Sequence, residues 1–105
     1  MIYVFDIDNT VCKTEGSDYK NSKPIRERIN KINELYDQGH KIVFHTARGM
    51  GRTNNDAARS HYLFYKMTFE QLNNWGVKFH NLYLGKPSGD IYVDDKGIRD
   101  VRFFE

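Results

Sequence analysis

The sequence contains a single cysteine, Cys12, so no disulfide can form within the chain. It has no run of 18 apolar residues, which excludes a membrane-spanning helix. No charged leader with an apolar core precedes the first strand-like residues. Those three absences lead to the expectation of a soluble, cytoplasmic protein. No internal repeat or low-complexity segment is visible. Neither charge sign dominates. The formal net charge is +2, spread evenly, with no basic arm and no acidic tail. That balance argues against nucleic acid as a partner, while its mildly positive sign favours a small anionic substrate. What is present is enough for a core: 39% hydrophobic residues and 14% aromatic ones in 105 residues. A chain of this length and content forms one domain, residues 1–105.

The hydrophobic pattern alternates between strands and helices. Residues 1–6 are mostly apolar without clear alternation, as in a strand covered on both faces. Residues 9–22 are polar and rich in turn formers, a loop or short flap over the end of that strand. Ser22 and Pro24 suit a helix start, Ile25, Ile29, Ile32 and Leu35 recur at helical spacing, and Gly39 suits its end. Lys41 to His45 reads as the second strand and residues 49–56 as a loop. One helix is expected from Asp56 through Tyr65. A second is expected to start at Thr68, which forms a capping-box pattern with Gln71, and to stop at Gly76. Asn81 to Leu84 and Asp90 to Val93 read as the third and fourth strands, with a short strand or tail at Val101 to Phe104. The alternation predicts an α/β, Rossmann-like three-layer fold with a mainly parallel sheet. Ligands of such sheets gather at the carboxyl ends of the strands. Asp6, Asp8, Thr46, Arg48, Lys86, Asp94 and Asp95 would all lie at those ends.

Asp6 and Asp8 stand two residues apart, with Thr10 at the next even step. On an extended backbone alternate side chains share a side, so the two carboxylates project together. Their repulsion calls for a cation or a proton between them. A strand running into a turn accounts for the same decapeptide, since Asp, Asn and Thr suit turns.

The constellation as a whole resembles the haloacid dehalogenase-like phosphatases. Asp6-Ile-Asp8-Asn-Thr10 is similar to their first signature, Thr46 after an apolar strand to the second, Lys86 to the third and Asp94-Asp95 to the fourth. Thr46-Ala47-Arg48-Gly49 and Gly85-Lys86-Pro87 further resemble small bacterial members associated with capsule or other surface-polysaccharide synthesis. The resemblance implies a phosphatase acting on a phosphate monoester through an aspartyl-phosphate, with Mg²⁺ as cofactor. It implies Asp6 as nucleophile and Asp8 as acid/base residue. Asp6, the Asp8 backbone carbonyl and Asp94 would hold the metal, with Asp95 a water-mediated ligand or a partner for Lys86. Thr46 and Lys86 would hold the phosphoryl oxygens, with Thr10, Ala47 and Arg48 completing the phosphate or substrate side. Neither interval between signatures is long enough for a cap domain.

Several residues carry a second reading. Asp94-Asp95-Lys96-Gly97 is a good turn, Thr46 can cap a loop, and Lys86 before proline suits a solvated surface. Arg48 can reach a substrate anion or form a structural salt bridge. His45 reads as a hydrogen-bonded structural residue and Cys12 as a small packed one. The aromatic 62–69 segment suits core packing or contact with a second subunit, which would close the site in a homo-oligomer. Small phosphorylated metabolites, such as sugar, polyol or amino-alcohol phosphates, are the first substrate class. Phosphoprotein, nucleic-acid 3′ ends, or a non-catalytic phosphate- or nucleic-acid-binding role are the alternatives.

Overall fold

Strand β1 (Ile2–Phe5) pairs in parallel with β4 (Lys41–Thr46), and β4 in parallel with β5 (Asn81–Leu84), giving a three-stranded sheet in the order β1-β4-β5. These elements come from a computed structural model that describes residues 1–105. The polar segment after β1 contains a small antiparallel hairpin, β2 (Cys12–Lys13) with β3 (Lys23–Pro24). A single 3-10 turn at Tyr19–Asn21 lies between its strands. Helix α1 (Arg26–Asp37) links the flap to β4, α2 (Ala57–Asn74) links β4 to β5, and α3 (Asp100–Phe103) ends the chain.

The two long helices end in the same way. Gly39 and Gly76 both have positive φ, 92° and 73°. Behind each, the His40 and Val77 amides reach back to the carbonyls of Leu35 and Leu72. This closing turn needs a left-handed residue, which glycine adopts without a Cβ clash. The chain is thereby turned into the next strand.

Helix α2 is one continuous element where two were expected. No glycine or proline interrupts Ala57–Asn74, and Asp56 caps it through Arg59 N at 3.1 Å. Thr68 is fully buried and uses its hydroxyl within the fold, so the capping-box pattern marks no helix start. Helix α1 starts at Arg26, after Pro24 has paired with Cys12, and Ser22 bonds Thr14 rather than capping it.

The expectation of three layers is not met. The chain steps from β1 to β4 to β5 in one direction, and right-handed crossovers then place successive helices on the same face. Ile29 and Ile32 of α1 and Leu72 of α2 share one core with Phe5, Ile42, Phe44 and Leu82. Phe103 of α3 packs on Tyr3 and Phe5 from that side as well. The alternate residues of the strands face away. Among them Ile2 is 67% exposed, Val4 63% and Tyr83 54%.

The fourth strand is also absent. Residues 85–99 form no regular element, and 87–99 are exposed throughout, Ile91, Tyr92 and Val93 included. Local bonds shape the start of this segment. The Tyr92 hydroxyl donates to the Pro87 carbonyl at 2.6 Å and accepts from Gly89 N at 3.0 Å. The outer edge of β1 therefore has no neighbouring strand. The expected terminal strand is the helix α3. No helix is long and apolar enough to cross a membrane.

Candidate active site

The site is built at the carboxyl end of the parallel strands, where three loops leave the sheet. The first loop follows β1. Ile7 and Val11 are fully buried and act as plugs on either side of a tight turn. The Thr10 and Val11 amides both bond the Ile7 carbonyl, and Asn9 takes the left-handed conformation with φ 59°. Asparagine tolerates that region better than most residues. The turn presents Asp6 and Asp8 to different partners rather than as a bare pair.

Asp6 is half-buried. Its Oδ1 accepts from Ile7 N at 2.8 Å and its Oδ2 lies 3.6 Å from Lys86 Nζ. Burial pushes its carboxyl above the usual value, the Lys86 ammonium opposes that shift, and the Asp8 charge adds to it. His45 stands beside them, opposite Tyr83 in the sheet register. Burial and the Lys86 charge lower its proton affinity, which the nearby Asp6 charge partly opposes. Lys86 is positioned by its backbone amide on the Thr46 carbonyl (3.2 Å), and its ammonium sits 4.5 Å from the centre of the Tyr92 ring. Lys86 is thus partnered by Asp6 and Tyr92, and not by Asp95.

Asp8 is held by Arg48. The Arg48 Nε lies 3.2 and 3.1 Å from the two Asp8 oxygens, and Nη2 lies 2.9 Å from Oδ1. Thr14 Oγ1 adds a short bond of 2.6 Å to the same Oδ1, and Thr14 in turn meets Ser22 Oγ at 2.6 Å. Arg48 is 1% exposed. Its remaining nitrogen, Nη1, bonds Gln71 Oε1 at 2.7 Å and Thr68 Oγ1 at 3.3 Å. Of its two sequence readings the structure shows the salt bridge, and all three guanidinium nitrogens bond within the fold. Thr46 is fully buried and its hydroxyl accepts from Arg48 N at 3.1 Å, so it shapes the Thr46–Arg48 turn. Ala47 is half-buried in that turn, and its carbonyl accepts from Met50 N. The Thr10 carbonyl accepts from Arg28 Nη1 at 2.9 Å, which braces the first loop against α1. Cys12 is fully buried and its thiol is pushed up by that burial, consistent with a packed residue.

Asp94 and Asp95 do not join this cluster. They lie on the exposed segment that forms no strand. Asp94 Oδ1 accepts from Lys96 N at 2.9 Å, and that bond holds its carboxyl below the usual range. This is the turn reading of Asp94-Asp95-Lys96-Gly97. No three acidic, histidine or cysteine groups converge as a metal would require. Asp6 and Asp8 supply hard oxygen donors suited to magnesium. With Asp94 elsewhere, the arrangement does not fit a complete metal centre.

Of the expected residues, then, Asp6, Asp8, Thr46, Arg48 and Lys86 meet at one edge, with Thr10 and Ala47 in the adjoining turns. Thr14, Tyr19, Ser22, Thr68 and Gln71 join them without having been anticipated. An aromatic residue inside a polar loop was the one signal for Tyr19. Ser22, Thr68 and Gln71 carried only helix-start readings in the sequence, and nothing there singles out Thr14.

No protein-family model matches this chain, and no curated protein matches it. A crystal structure of a target protein from Vibrio cholerae is similar at a TM-score of 0.90 and 26% identity, over 98% of this chain and 86% of that one. The sheet order and this likeness define the class as an α/β protein with a parallel sheet and helical crossovers, of Rossmann-like kind.

Proposed function

We infer that this chain is a haloacid dehalogenase-like phosphatase that hydrolyses a phosphate monoester. The observation that carries the reading is the meeting of Asp6, Asp8 and Lys86 at the strand ends, with Asp6 and Lys86 3.6 Å apart. Asp6 has a carboxylate oxygen facing the ammonium that would pair with the phosphoryl oxygens. Attack by Asp6 on phosphorus breaks the ester bond to the leaving oxygen and forms an aspartyl-phosphate. Asp8 gives its proton to that oxygen and takes one back from the water that hydrolyses the aspartyl-phosphate. The Lys86 ammonium offsets charge on the phosphoryl oxygens as it moves between them.

Magnesium is the cofactor this reading implies, and its chemistry is to neutralise phosphate charge. Asp6, Asp8 and Asp94 would hold it, with Asp95 nearby. That requires residues 90–95 to leave their exposed turn. The unpaired edge of β1 and the exposed Ile91-Tyr92-Val93 supply a strand position for them. Only a flap and one helix separate Thr10 from Thr46, and one loop, helix and strand separate Thr46 from Lys86. Those intervals support a capless enzyme. The small metabolite phosphates named above remain the proposed substrate class, with a place in surface-polysaccharide synthesis and a cytoplasmic site of action.

The test is phosphate release from a generic aryl phosphate, then from small-metabolite, peptide and oligonucleotide phosphates. Turnover should need Mg²⁺ and vanish in Asp6→Asn. Full activity of that variant would sink the mechanism, and turnover confined to peptide or oligonucleotide phosphates would replace the substrate class.

A further inference from the structure

Arg48 is the largest fully buried side chain in the molecule. Packing alone does not call for a charge there: apolar residues of similar volume often serve stability as well as a buried ion pair does. What a guanidinium supplies is a rigid fork, able to fix a carboxylate in one orientation while donating on its other side. Both sides are in use. One side grips Asp8 through Nε and Nη2, and the other reaches Gln71 of α2 through Nη1 at 2.7 Å.

The third partner is the flap. The Tyr19 ring lies 5.0 Å from the Arg48 guanidinium carbon, a cation–π distance. The Tyr19 carbonyl accepts from Gln71 Nε2 at 2.8 Å, and the Tyr19 hydroxyl accepts from Gly49 N at 3.1 Å. Gln71 therefore bonds Arg48 with its oxygen and the flap with its nitrogen. Asp8, the flap and α2 share one buried junction. Of the two Asp8 oxygens, Oδ1 is saturated by Arg48 and Thr14, whereas Oδ2 accepts from Arg48 Nε alone.

We propose that Arg48 is a positioning residue. It fixes the Asp8 carboxylate with Oδ2 as the less heavily bonded oxygen, the one left for proton transfer once Nε shifts to Oδ1, and through Tyr19 and Gln71 it makes that orientation depend on the flap being docked. This deepens the phosphatase reading and rests on it for its kinetic test. Misplacing an acid/base group by about an ångström lowers turnover by up to 10²-fold. Arg48→Gln and Tyr19→Ala should each lower kcat on the order of 10- to 100-fold with KM within about twofold, because neither touches the substrate. Their effects should not multiply: the double variant should be no slower than Arg48→Gln alone. Arg48→Lys should not restore kcat, since an ammonium cannot fork across both partners.

A second arm needs no activity. Lys20 is exposed beside Tyr19 in the flap, and a released flap is cut where a docked one is not. Tryptic cleavage after Lys20 should be about tenfold faster in Arg48→Gln and Tyr19→Ala than in the parent, at temperatures where both remain folded. If Arg48→Gln does not fold, Gln71→Met replaces it in both arms. A rise in KM with kcat intact would make Arg48 a substrate-binding group and overturn the proposal. Multiplying effects on kcat, or unchanged cleavage after Lys20, would overturn it too. A parent protein without turnover on any phosphate ester removes the phosphatase reading instead, and the cleavage arm then decides the coupling.

Discussion

At Asp6 two effects oppose each other. Desolvation favours the protonated carboxyl, and Lys86 favours the carboxylate; desolvation is the larger. The folded chain therefore binds this proton more tightly than the unfolded chain. The contribution of Asp6 to stability is accordingly best at acid pH and is lost as pH rises through the raised value. Asp6→Asn should then abolish turnover while leaving the melting temperature of the metal-free protein unchanged or higher at neutral pH. A marked drop in melting temperature would show Lys86 to be the stronger influence. Gly49 is the second telling residue. Its φ is 79°, and a Cβ there would collide with the Phe64 ring. Gly49→Ala should destabilise by about 2 kcal/mol or more, measured by denaturant unfolding. It should also loosen the flap, because Gly49 N holds the Tyr19 hydroxyl.

Among the elements, α3 is small but tied at two points. Arg28 of α1 pairs with Asp100 at 2.7 Å while also holding the Thr10 carbonyl, and its guanidinium lies 4.9 Å from the Phe104 ring centre. The bond from Arg28 lowers the Asp100 carboxyl below its ordinary value. This sign is opposite to that of Asp6. The pair's stabilisation is full above the ordinary carboxylate range and fades as pH falls through the depressed value. Asp100 is 27% exposed, so the contribution is about 1 kcal/mol or less. Asp100→Asn should be less stable than the parent at neutral pH, and the difference should close in acid. Thermal melts across pH check it; a gap that persists in acid would assign the effect to packing. The aromatic stretch of α2 behaves mainly as packing. Phe64 meets Tyr19, Tyr65 stacks on His61, and Phe69 meets Phe79, leaving Tyr62 exposed at 87%.

For the whole molecule the decisive feature is a one-sided sheet. A parallel sheet is ordinarily covered on both faces, because apolar residues point both ways. Here Ile2, Val4 and Tyr83 face outward, and the apolar run at 91–93 is equally open. If magnesium recruits Asp94 to Asp6 and Asp8, residues 90–95 must become ordered by it. Adding Mg²⁺ should slow tryptic cleavage after Lys96 and raise the melting temperature. A chelator should reverse both, and Asp94→Asn should lose both. Indifference of Lys96 to Mg²⁺ would remove Asp94 from the metal reading.

The local elements were legible in the sequence because their causes are local. Gly39 and Gly76 end helices by their backbone freedom, and the apolar runs of β1, β4 and β5 mark their strands. The positions of Asp6, Thr46 and Lys86 at strand ends followed from the same runs. Tertiary structure alone decided the rest. Which face the helices cover depends on the direction of crossover, which no residue encodes. Whether Ile91-Tyr92-Val93 becomes a strand depends on an edge supplied from the far end of the chain. Arg48 shows the same limit: its neighbours in sequence left a substrate anion and a structural salt bridge equally open, and only the arrival of Asp8, Tyr19 and Gln71 from three other segments turned it inward.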